Sequence, residues 1–246
     1  MIALRRMAWV ELKLFLREPL TVVFALVLPL IILVVMSGVF GNTPDPEFYR
    51  GYGPVDFYTP AYVGLVLAAI GVVSIPAHLA GNRERGVLRR FRASSVPLGV
   101  VVGAEALVSL VIALVSGVVL SVCAMLAYGV RAPASLLLLV AAFLTSALMF
   151  AALGVMLGSL IPTARAAQAA GMMLWFLMLM VGGAGPPPET LTGVLGVLSH
   201  AAPLTYSSRL LQEAWLEGGW SWVDAGIVGA IALVASLVTA RFFRWE

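Results

Sequence analysis

Six long, nearly uncharged apolar runs constrain this chain more than any other feature. They cover residues 20–40, 58–79, 106–128, 135–160, 166–181 and 222–242. About 20 apolar residues in a helix cross the ~30 Å hydrocarbon core of a bilayer. Inside that core each backbone N–H and C=O must be satisfied within the segment, which selects helices. The chain is 61% hydrophobic and 11% charged, with a mean hydropathy of +1.03. No soluble core absorbs that much apolar residue, so the expected fold class is an all-α polytopic membrane protein with six transmembrane helices. The first run is too long for a signal-peptide core and is read as a retained helix.

Charge sets the expected orientation. Arg5, Arg6, Lys13, Arg17, Arg83, Arg85, Arg89, Arg90, Arg92, Arg165, Arg241 and Arg244 fall on one side of a six-span topology. Only Arg50, Arg131 and Arg209 fall on the other. Basic residues stay in the cytoplasm, so both termini are expected there, in a multi-pass protein of the cell membrane. The same reading explains the net charge of +3 without a nucleic-acid partner.

Residues 2–18 mix basic residues with Trp9 and Phe15, and fit a helix lying in the membrane interface, turned inward at Pro19. Residues 81–105 form the most basic loop. An orientation anchor needs only its arginines. This loop also carries Glu84 and Gly86, with Ser94 or Ser95 before Pro97 as the start of a new helix. That punctuation fits a structured docking surface, with residues 75–92 continuing as one helix out of the membrane. Residues 182–219 break the spanning pattern. Gly182-Gly183-Ala184-Gly185-Pro186-Pro187-Pro188 cannot continue a helix. The apolar segment 190–198 is too short to cross, so two short re-entrant helices hinged near Pro203 are expected before the last span.

Several chemistries are missing. A phosphate-binding loop needs the lysine of G-x-x-x-x-G-K-[ST], and the one lysine, Lys13, stands in no such motif. Ion-coupled transporters and intramembrane enzymes need ionisable groups at depth, whereas Glu105 and Asp224 sit at run ends. His78 and His200 lie at opposite ends of the topology and have no ligand spacing around them. The single cysteine, Cys123, allows no intrachain disulfide and is expected to be a buried small residue. Gly154-x-x-x-Gly158, with Ala166, Ala167, Ala170 and Gly171, gives small faces for close helix packing or for a subunit seam. Met172, Met173, Trp175, Phe176, Met178 and Met180 give the fifth run an adaptable surface. It reads either as packing or as one wall of a path for bulky amphiphiles.

The order Glu84-Arg85-Gly86-Val87-Leu88, Ser95-Val96-Pro97 and Gly103 resembles the cytoplasmic loop of ABC type-2 export permeases. Val87 and Ala104 stand where that family carries Thr and Lys. Ala202-Pro203-Leu204-Thr205-Tyr206 is similar to the family's stretch before the last span. The style is closest to the daunorubicin-exporter branch. This resemblance implies that residues 81–105 are the coupling helix on a separate ATPase, with Glu84, Arg85, Gly86, Leu88, Arg89, Arg90 and Pro97 in the docking surface. It implies ABC ATPase subunits and a second permease copy or sibling as partners. This chain would bind no cofactor, ATP and Mg being used by the ATPase. The second and fifth spans of the family face the substrate path, which makes Met172, Trp175, Phe176 and Met178 path candidates. Gly182, Gly183, Pro186 and Pro203 are the candidate outer hinge. The cargo implied is a hydrophobic drug or lipid-like molecule. A polysaccharide or glycolipid exporter and a non-transporting assembly protein remain alternatives.

Overall fold

The computed structural model describes residues 22–46, 48–87 and 98–242. Among them, helices follow in the order α1 (Val23–Phe40), α2 (Pro54–Glu84), α3 (Leu98–Tyr128), α4 (Leu136–Leu160) and α5 (Ala164–Val181). They continue with α6 (Gly193–Ala201), α7 (Pro203–Gln212, prolonged by a π turn Glu213–Glu217) and α8 (Trp222–Phe242). Six of these, all but α6 and α7, are long and apolar enough to cross a membrane. The protein is an all-α polytopic membrane protein, as its apolar runs require. The interfacial helix expected over residues 2–18 lies outside the described residues.

α2 is the axis of the bundle. Every residue from Pro54 to Ser74 is buried, and α1, α3, α4, α5 and α7 all pack on it. It begins at Pro54, whose missing N–H costs nothing in a first helical turn. It ends at Glu84, where Gly86 adopts a left-handed φ of 69° and donates its N–H to the Arg83 carbonyl at 2.9 Å. The expected unbroken helix over residues 75–92 is therefore interrupted at Arg85–Gly86. At mid-height, Ala69–Ser74 is a π turn, and glycines let the neighbouring backbones approach it. A Cβ on Gly154 would overlap the Gly71 carbonyl, one on Gly171 the Val72 carbonyl, and one on Gly158 would lie 3.0 Å from Pro76 Cα. Gly154, Gly158 and Gly171 are thus intrachain contacts with α2, whereas Ala166 is exposed. No water drives helices together in lipid, so close approach of small residues supplies the packing.

α4, α5 and α8 start on side-chain caps. Ser135 accepts from Leu138 N at 3.4 Å, Thr163 from Ala166 N at 3.2 Å and Ser221 from Asp224 N at 3.2 Å. Cys123 is exposed on α3, not buried as expected. A run that is apolar on all sides does not reveal which face turns to lipid.

Candidate functional site

The two ends of the bundle differ in chemistry. One carries the end of α2 and the α4–α5 turn with Arg83, Arg85 and Arg165, and is called here the basic end. The other carries the loop 41–53, the turn 129–135 and α6–α7, and is called the hairpin end.

At the basic end, consecutive residues of α2 grip consecutive helix ends. Arg83 Nη1 donates to the Ser159 carbonyl at 2.9 Å, and Nη2 donates to the Ile161 carbonyl. These carbonyls belong to the last turn of α4, where unpaired C=O groups carry the negative end of the helix dipole. Glu84 Oε2 accepts from Ala164 N at 3.2 Å, the first residue of α5, at the positive end of its dipole. Each charge therefore meets the helix end of opposite sign, which stabilises the turn by about 0.3–1 kcal/mol per contact. Arg85 points elsewhere and donates to Asn82 Oδ1 at 3.2 Å. Among the described residues, a Cβ on Gly86 would meet nothing within 4 Å. Leu88, Arg89, Arg90 and Pro97 lie outside the described residues. The Glu84 carboxylate, expected in the docking surface, thus also has a partner in its own chain. Arg83 was counted only as a loop charge. Its separation of some 80 residues from the turn it holds leaves no local pattern to find.

The fifth-span candidates divide between two faces. Trp175 is fully buried, and its indole N–H donates to the Leu65 carbonyl of α2 at 3.1 Å. Met178 is buried too. Met172 is half-buried, while Phe176 is exposed beside Met173, Leu177 and Met180. Phe24 of α1 packs edge-on to both Trp175, at 5.0 Å, and Phe176, at 5.7 Å.

At the hairpin end the Gly/Pro break is wedged into the bundle. Gly182 ends α5, and its carbonyl accepts from Ser208 Oγ at 3.1 Å. Gly183 follows with a φ of 89°. Pro186 is exposed, and Pro203 opens α7. The two short helices take different places. α6 shows Val194, Leu195 and Val197 on its surface, whereas α7 buries Leu204, Leu210 and Leu211 completely against the core. Other side chains of α7 satisfy backbone carbonyls of α6 and α2. Thr205 Oγ1 donates to Ser199 O at 2.6 Å, and Gln212 Nε2 to Phe57 O at 3.1 Å. Glu189 joins the loops by accepting from Arg50 at 3.2 Å and pairing with Arg209 at 3.3 Å. Buried Asp56 accepts from Arg131 N at 2.9 Å and Asn42 Nδ2 at 3.3 Å. Sequence reading assigned no role to these joints, because their partners come from distant loops.

The family model described as ABC-2 type transporter matches residues 2–216, from the N-terminal segment through α7. No curated protein matches the chain.

Proposed function

The chain belongs to the ABC-2 type transporter family, and from that premise we propose that it is the permease of an ATP-driven exporter whose motor is a separate ATPase. As a member it is a membrane transport component of an ABC system. Its basic end faces the cytoplasm and the ATPase, in keeping with the arginine asymmetry. A second permease copy or sibling completes the transporter, which sits in the cell membrane and moves a hydrophobic drug or lipid-like molecule outward. ATP and Mg belong to the ATPase.

The observation that carries this reading is the grip of Arg83 and Glu84 on the α4–α5 turn. A cytoplasmic motor does work on spans only through an element joined to more than one of them. Here the loop that follows α2 inherits such a joint: displacement of α2's end is passed to the end of α4 and the start of α5. No described residue lies within 4 Å of a Cβ on Gly86, which suits a closely approaching partner. The exposed Phe176, Met173 and Met180 on α5, next to α1, are adaptable enough to wall a path for bulky amphiphiles.

Glu84→Ala and Gly86→Trp test the assignment, with membrane level, export and co-purification of the ATPase measured together. Orientation depends little on acids, so both variants insert normally. Glu84→Ala lowers export several-fold while the ATPase still binds, and Gly86→Trp weakens its binding. Wild-type export by both would leave the loop as an orientation anchor only.

A further inference from the structure

α3 and α4 diverge over the surface of α2 and leave an apolar cleft open to the side. Its hairpin-end part holds about 460 Å³, between Leu114, Val118 and Val122 of α3 and Leu139, Val140 and Phe143 of α4. A second space of about 380 Å³ continues it towards the basic end and shares Leu110 and Leu144 with the first. From Leu110 to Met125 the cleft runs about 22 Å along α3 at 1.5 Å per residue, more than one leaflet's share of a ~30 Å hydrocarbon core. Among the described residues no charged side chain lines either part, and in the hairpin-end part Ser121 spends its hydroxyl on the Gly117 carbonyl at 2.8 Å. Water would lack the polar partners it needs in that hairpin-end part.

The rim at the hairpin end is different. Pro133 and Trp215 close the cleft, and the segment between α3 and α4 bears Arg131. Its backbone is pinned on both sides, N–H to Asp56 at 2.9 Å and C=O to the Trp215 indole at 3.0 Å. Its side chain is 67% exposed, and the Asp56 carboxylate lies only at the 4.0 Å limit of an ion pair. A fixed backbone with an exposed guanidinium, at the mouth of a tail-shaped apolar cleft, matches a phosphate above an acyl chain.

We propose that the α3–α4 cleft holds a phospholipid of the hairpin-side leaflet, its acyl chain against α2 and its phosphate on Arg131. The site lies away from the exposed face of α5, and it stands whether or not that face handles cargo.

The full chain in lipid nanodiscs is tested with phosphatidylglycerol bearing a photoreactive diazirine in mid-chain, and with diacylglycerol bearing the same chain. With phosphatidylglycerol, adducts should concentrate several-fold in peptides 110–125 and 136–144 over the exposed face of α8 at Leu233 and Leu237. Gly117→Phe, which fills the floor beside Val63 and Phe143, should remove cleft adducts while α8 labelling persists. Val118→Trp, on an exposed wall, provides the same block should the first variant fail to fold. Arg131→Ala should lower labelling by phosphatidylglycerol several-fold and leave diacylglycerol labelling unchanged. Equal labelling around the bundle, equal labelling by both probes in the wild type, or an unlabelled cleft that cross-links to another protein helix would each overturn the proposal.

Discussion

Trp175 is a residue whose type is read easily and whose role is not. Helical spacing places it among methionines and aromatics on α5, a pattern equally suited to a cargo wall and to a core. The structure gives its indole N–H to the Leu65 carbonyl, just before the π turn of α2. A hydrogen bond between helices at membrane depth is worth about 1 kcal/mol. Trp175→Phe should therefore lower the thermal stability of the purified protein by roughly that amount. Trp175→Ala also removes the ring's packing against Phe24 and should cost several times more. Phe176→Ala, on the exposed face, should leave stability nearly unchanged and alter which compounds are exported. A thermal melt and an export panel separate the two residues. An unchanged melt for Trp175→Phe would mean that this bond contributes nothing. The Glu84 carboxylate presents the same limit of legibility: its charge is visible in the chain, but its partner, Ala164 N, is brought to it only by the fold.

Among the elements, the spans were legible because length and hydropathy alone decide them, and the end of α5 was legible because a Gly/Pro run from Gly182 cannot continue a helix. Which span is central was not, since every run is apolar on all sides and pattern cannot rank their burial. The glycines identify α2 only once their neighbours are known. Gly154 and Gly171 abut α2 backbone, whereas Cβ atoms on Gly226 and Gly229 of α8 would meet no described residue within 4 Å. Gly154→Leu should abolish the monodisperse folded protein on size exclusion. Gly229→Ala should be neutral or slightly stabilising, as Ala exceeds Gly in helix propensity by about 1 kcal/mol. Similar behaviour of the two variants would remove the close-packed seam from the account. The hairpin end carries a different sensitivity. Burial, then the nearby Glu217 and Asp224, raise the pKa of Glu213 against the opposing effect of Arg50. The folded protein thus binds this proton more tightly than the unfolded chain. The contribution to stability is greatest in acid and declines as pH rises through the ordinary carboxylate range to the raised value. Hydrogen exchange corrected for its intrinsic rate should find residues 203–221 better protected at mildly acidic than at neutral pH. Glu213→Gln should flatten that difference, and an unaltered difference would assign it to other groups.

For the whole molecule, the arrangement makes the basic end a single mechanical unit composed of the end of α2, the end of α4 and the start of α5. Arg83 and Glu84 add polar contacts to the close packing of Gly158 on Pro76 and of Gly81 on Ala164, and partly exposed polar contacts are individually weak. A covalent substitute is available at the same joint. A Cβ built on Gly81 would lie 3.4 Å from Ala164 Cβ, close to the 3.5–4.5 Å separation of bridged cysteines. Gly81→Cys with Ala164→Cys, in a Cys123→Ala background, should form a disulfide under mild oxidation. If α2 and the α4–α5 turn move together during transport, the bridge leaves export near its reduced level. It should also restore much of the export lost in Glu84→Ala, because it replaces the missing contact without restoring charge. The comparison is made on one preparation, oxidised and then reduced, with ATP hydrolysis measured beside export. Arrest of export by the bridge, with hydrolysis continuing, would mean that α2 must part from the turn in each cycle. The joint would then act as a latch rather than a lever.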